Sequence, residues 1–96
     1  MRFLWSVSTQ VPAAARDAFL AWLERVGRAC REDGEVVGFY VVESEADPGH
    51  FCEFYEFADE ATARAFAHSA KWRQVAADRR RFRPDDAVTS AWRQRI

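Results

Sequence analysis

An excess of charge of one sign is missing from this chain. Fourteen Lys plus Arg stand against 15 Asp plus Glu, a net charge of -1, so no overall field draws it to nucleic acid or to an anionic membrane. Long apolar runs are missing too: no stretch approaches the roughly 20 residues that span a bilayer. The N-terminal MRFLWSVSTQ carries Arg2 and no apolar core of a signal peptide, which leads us to expect a soluble, cytoplasmic protein. Cysteine is scarce, and Cys30 and Cys52 are expected to be small buried hydrophobes in a reducing compartment. His50 and His68 are the only histidines. With no His-x-His or Cys-x-x-Cys spacing they give no metal signature. Short repeats, low-complexity tracts and linkers are also absent, so 1–96 is expected to be one domain.

What the chain has is apolar and aromatic surface, 49% and 15% of its residues. A domain this short buries only roughly 60 to 65% of its unfolded surface, so part of that aromatic surface is expected at an interface or around a pocket.

The periodicity predicts six elements. Phe3, Trp5 and Val7 alternate with Leu4, Ser6 and Ser8, a strand over 2–9. Pro12 opens a helix, where a proline loses no intrahelical bond, and Phe19, Leu23, Val26 and Cys30 form its apolar stripe. Gly34 after Asp33 caps it. EVVGFYVVES at 35–44 reads as a buried strand, Asp47-Pro48-Gly49 as a turn, and 50–57 as the returning strand of a hairpin. From Asp59 the alanine spacing predicts a second helix running to Arg81 or Phe82, broken by Arg83-Pro84-Asp85-Asp86. Residues 87–95 alternate as a fourth strand. The cluster Arg79-Arg80-Arg81-Phe82-Arg83 is read as a solvated helix end whose cations suit the helix dipole.

The order βαββαβ predicts an α+β, ferredoxin-like fold: a four-stranded antiparallel sheet with two helices on one face. Trp5, Phe39, Phe51 and Trp92 exceed what one helix-covered face requires. An uncovered apolar face invites aggregation, so two sheets are expected to pack face to face as a homodimer, a dimeric α/β barrel.

Gly38, Asp47-Pro48 followed by Phe51, and the junction Phe57-x-Asp59-x-Ala61 with Ser69 and Trp72 beyond it resemble the antibiotic biosynthesis monooxygenase family of the dimeric α/β-barrel superfamily, over nearly the whole chain. In that family the junction commonly reads Glu-x-Trp-x-Asp/Ser, followed by a His, a Ser and an aromatic residue on the second helix. Here Tyr55 stands at the Glu, Phe57 at the Trp and Phe66 at the His, while Asp59, Ser69 and Trp72 match. The resemblance implies cofactor-independent oxygenation of an electron-rich aromatic or quinol-like small molecule, in a pocket between sheet and helices, with no cofactor and no metal. A non-catalytic, ligand-binding barrel is the alternative. The haem-degrading branch of the superfamily is excluded, because the chain contains no asparagine and has Phe66 and Ala76 where that branch places a Trp and its axial His.

The candidate catalytic residues are His68, Ser69 and Tyr55, and the candidate substrate-binding residues Trp22, Tyr40, Phe66 and Trp72. On a helical wheel Phe66, Ser69 and Trp72 share the sheet-facing stripe. His68 lies on its flank, where an imidazole could serve as a base at a pocket mouth. His50, beside the turn, is expected to face solvent. Glu53 and Glu56 point to opposite faces of their strand and form no carboxylate pair.

Overall fold

A computed structural model describes residues 2–82 and 84–96, and the side chains of all of these except Asp85 and Asp86. Arg83 and Met1 lie outside the described residues. The order is β1 (Phe3–Gln10), a 3-10 turn (Ala13–Ala15), α1 (Arg16–Glu32), β2 (Val36–Glu43), β3 (His50–Phe57), α2 (Glu60–Ala67), α3 (Ala70–Arg79), a 3-10 turn (Arg80–Phe82) and β4 (Asp85–Arg93). The strands form one antiparallel sheet in the order β2-β3-β1-β4. The helices pack on one side of it, the expected α+β, ferredoxin-like fold.

Alternation sorts the strand residues. On β3 the odd positions Phe51, Glu53, Tyr55 and Phe57 are all buried beneath the helices, with Trp5, Val7 and Thr9 of β1 beside them. The stripe Phe19, Leu23, Val26 and Cys30 of α1 is buried against that layer as its spacing predicts. Gly34 takes a φ of 76° just past the helix, the left-handed end expected there.

Three expectations are corrected. The second helix is two: the chain turns at His68 and restarts at Ala70. Ser69 causes the break, because its hydroxyl accepts from the Trp72 N–H at 3.1 Å and donates to the Phe66 carbonyl at 2.7 Å, capping one helix while satisfying the end of the other. The surplus aromatic residues also divide differently. Trp5, Phe39 and Phe51 belong to the helix-covered core. The open face instead carries Tyr40, Val42, Val88 and Trp92, each about half exposed, together with Leu4, Cys52 and Phe54. Tyr40 stacks on Phe54 at 4.9 Å, so its ring is on the side of the sheet away from the helices. His50 is half-buried there and hydrogen-bonds Ser8 at 2.9 Å instead of facing solvent freely.

The β2–β3 turn is tied to the start of α1. Glu43 accepts from Arg16 at 2.5 and 2.7 Å and from the Gly49 N–H at 2.9 Å, and the Arg16 bond, with that N–H, holds its carboxyl down at about 2. Cys30 is fully buried, and burial pushes its thiol up to about 11. Among the described residues no helix is long and apolar enough to cross a membrane.

Gly27 is where α1 lies closest to the sheet: a Cβ built there would stand 2.4 Å from the Phe39 ring. Alanine gains about 1 kcal/mol of helix propensity over glycine, but overpacking of this kind costs about 1 to 3 kcal/mol. Gly27→Ala is therefore expected to lower the melting temperature, and Phe39→Leu in the same chain to restore part of it. A Gly27→Ala protein that melts higher than the parent would refute the close approach.

Candidate functional site

Two groupings of polar and aromatic side chains stand out, one sealed under the helices and one open to solvent. The sealed one centres on Glu53, fully buried in mid-sheet. Arg79, at the last turn of α3, donates to both of its carboxylate oxygens, at 2.8 Å to Oε1 and through a second, shorter bond to Oε2. It also donates to the Thr9 hydroxyl at 3.3 Å. The Tyr55 hydroxyl donates to Glu53 at 2.5 Å, and the Arg79 guanidinium lies 5.3 Å over the Trp22 ring. Burial, followed by the charge of Glu53, raises the Tyr55 pKa well above its ordinary value, which keeps the phenol a proton donor. Burial works against the Arg79 cation, but the bonds and charge of Glu53 outweigh it and raise its pKa. Arg79 is thus not part of a solvated helix end, as its neighbours suggested. It is spent on Glu53, the fully buried carboxylate of β3.

The open grouping is a cleft of about 530 Å³ over β4. On the helix side of β4 the small Ala91 pairs with Trp5 and leaves room above it, while the long Arg93 pairs with Phe3. Phe3, Trp5 and Ala91 line the floor, while Ala67, His68, Glu60 and Arg64 of α2 and its turn form the wall and Arg93 the rim. Glu60 bridges the two sides, bonded to Arg64 at 2.9 Å and to Arg93 at 2.5 Å. The Arg93 bond, followed by the Arg64 charge, keeps its carboxyl below the usual range. Arg93 also lies 5.6 Å over the Phe3 ring.

The predicted residues fall into separate places. Tyr55, Phe66 and Trp72 meet in the core, with Trp72 5.2 Å from Tyr55 and 5.8 Å from Phe66. Trp5 joins them, 5.2 Å from Trp72, and carries the contact to the cleft floor. Trp22 packs on Phe19 and Phe82, beneath Arg79. Tyr40 is on the opposite sheet face from these rings and is corrected as a member of their group. His68 is exposed at the end of α2 and lines the cleft. The hydroxyls of Ser69 and Tyr55 are engaged elsewhere, by the helix cap and by Glu53, and do not join His68 in one hydrogen-bonded set. Glu53, Glu60 and Arg93 are the polar residues that sequence reasoning passed over. Among the described residues no group of three or more His, Cys, Asp or Glu could hold a metal ion.

No protein-family model matches the sequence, and no curated protein matches it either. Solved structures do. A Deinococcus radiodurans protein provisionally named an antibiotic biosynthesis monooxygenase superposes with a TM-score of 0.87 at 14% identity, over 98% of this chain and 93% of that one. A second structure named antibiotic biosynthesis monooxygenase gives 0.80 at 14%, over 98% and 99%. SnoaB, a cofactor-independent oxygenase from Streptomyces nogalater, gives 0.85 at 10%, over 99% and 94%. This chain has the antibiotic biosynthesis monooxygenase fold. At these identities the likeness is one of architecture, and it covers the monooxygenase fold from end to end.

Removing Arg79 alone should leave Glu53 buried and unpaired, a cost of about 3 to 5 kcal/mol. In urea unfolding Arg79→Met is expected to lose stability of that size, and Arg79→Met with Glu53→Gln to recover at least half of it. A loss below about 1 kcal/mol for Arg79→Met would mean that the pair does not form.

Proposed function

We propose that this chain is a cofactor-independent monooxygenase that oxidises an electron-rich aromatic small molecule in the cleft over β4. One observation carries the reading: within a fold shared with a cofactor-independent oxygenase, a floor of Phe3 and Trp5 lies in the same cleft as His68. An aromatic floor binds a planar ring by stacking, and a neutral imidazole at its edge can take a phenolic proton. The phenolate is electron-rich enough to reduce oxygen itself. For an anthrone-like CH2 carbon, two C–H bonds break and a C=O bond forms. One atom of O2 stays on that carbon and the other leaves as water with both hydrogens, so substrate supplies every electron. The protein's tasks are to hold the ring, accept the proton at His68 and exclude bulk water from the reacting carbon.

A ligand-binding protein without chemistry is the second reading. It is favoured by Tyr55 and Phe66 standing where the family resemblance places a Glu and a His, and by the engagement of the Tyr55 and Ser69 hydroxyls. Oxygen uptake on anthrones, naphthols and quinols, with and without flavin, separates the two. Uptake without flavin, reduced at least tenfold in turnover by His68→Gln with affinity kept within a few fold, is the expected result. Ring binding that quenches tryptophan fluorescence with no oxygen consumed would replace the enzyme with the binder.

The same proposal includes a homodimer closed by the open sheet face. Tyr40, Val42, Val88 and Trp92 on that face make it apolar enough to pack on its own copy, and a standard interface covers about 800 Å² per subunit. Sedimentation equilibrium at micromolar concentration is expected to give a dimer, and Val42→Glu a monomer. A parent chain that sediments as a monomer would refute the assembly.

A further inference from the structure

A groove of about 460 Å³ runs between α1 and β2, at the edge of the sheet opposite the cleft over β4. Its α1 wall changes character along its length, because the residues that form it follow one another on a single helical stripe. Leu20 and Leu23 come first, Glu24 next, and Arg28 and Arg31 last. Eleven residues at 1.5 Å rise set Leu20 about 16 Å from Arg31. Phe39 and Val41 of β2 form the facing wall. Leu20, Phe39 and Val41 keep part of their surface open, whereas Leu23 is buried beneath them. Such a size and lining, mostly apolar with a few polar groups, belong to a small-molecule site.

The cationic end of the groove has no counter-ion. Arg28 and Arg31 are exposed and stand three residues apart, a helical spacing at which like charges repel. Glu24 and Glu32 lie four residues to either side of Arg28, the spacing of a helical ion pair. Yet no ion pair among the described residues includes Arg28 or Arg31. Arg31 donates through Nε to the Gly27 carbonyl at 3.1 Å. That bond holds its guanidinium along α1 with the terminal nitrogens turned to other acceptors.

We infer that the groove between α1 and β2 binds a saturated acyl-chain carboxylate, with its chain on Leu20, Phe39 and Val41 and its carboxylate on Arg28 and Arg31. The carboxylate supplies the charge that the two arginines lack, and their planar forks suit its two oxygens. The chain covers the apolar surface that α1 and β2 leave open between them. The site lies at the far edge of the sheet from the cleft over β4, and it stands whether or not that cleft carries out oxygenation.

Amide chemical-shift titration of the parent protein with octanoate, and with 1-octanol and octyltrimethylammonium as its neutral and cationic counterparts, tests it. Octanoate is expected to saturate at one per chain and to bind at least fivefold more tightly than octanol, with the preference shrinking as salt rises. The cation should bind more weakly than either. The signals of Leu20, Phe39 and Val41 should move with octanoate, while that of Ala91 in β4 stays in place. Arg28→Gln with Arg31→Gln alters only exposed side chains, so the fold is kept. That variant should lose most of the preference while its octanol affinity stays within twofold of the parent's. Equal affinities for octanoate and octanol in the parent, uptake that does not saturate, or shifts centred on β4 or on Val42 of the open sheet face would overturn the inference.

Discussion

A carboxylate in the middle of a sheet, wholly out of water, demands a cation, and in this chain the demand of Glu53 decides where the last helix must end. Arg79 can reach both carboxylate oxygens only if α3 finishes over the centre of β3. The Tyr55 hydroxyl and Thr9 complete the shell, and Trp22 of α1 closes it from the helix layer through the face of its ring. Five side chains from four elements are thereby fixed relative to one another, in a layer otherwise held by apolar packing that has no direction of its own. An apolar pair of similar volume could be as stable. What a directional pair adds is that the helix has one place to stop.

With the helices committed to the β3 side of the sheet, β4 is left uncovered on the same side. That is why a cleft exists there. Its floor is the edge of the aromatic core, reached through Trp5, which touches Phe57, Phe66 and Trp72 on one side and lines the opening on the other. The rings named from sequence as a binding pocket are therefore mostly the support beneath the open cleft, and Trp5 joins the two.

Most of the fold was legible because its period is strong. The third strand falls on His50–Phe57 as read, and Phe19, Leu23, Val26 and Cys30 all face inward. The break at Ser69 was missed because alanine-rich flanks favour helix on both sides, whereas the hydroxyl that interrupts them acts through two local hydrogen bonds that a periodicity count does not register. Glu53 left a signal that went unused: it shares its face with Phe51, Tyr55 and Phe57, and a carboxylate in register with three buried aromatics has to find a partner. The partner itself lay 26 residues away among other arginines, and composition cannot tell which of several neighbouring cations turns inward. Glu60 and Arg93 were illegible for a related reason, since only strand pairing brings the C-terminal strand beside the start of α2.

The turn at His68 and Ser69 separates two helices that both reach the core. Before it, Glu60, Arg64, Ala67 and His68 line the open cleft while Ala63 and Phe66 are buried; after it, Val75 and Arg79 are buried in the core. Because Ser69 caps the second segment within itself, α3 does not depend on α2 for its first hydrogen bonds. Fraying of the last turn of α2 would therefore leave in place both the Ser69 cap at the start of α3 and the ion pair at its far end.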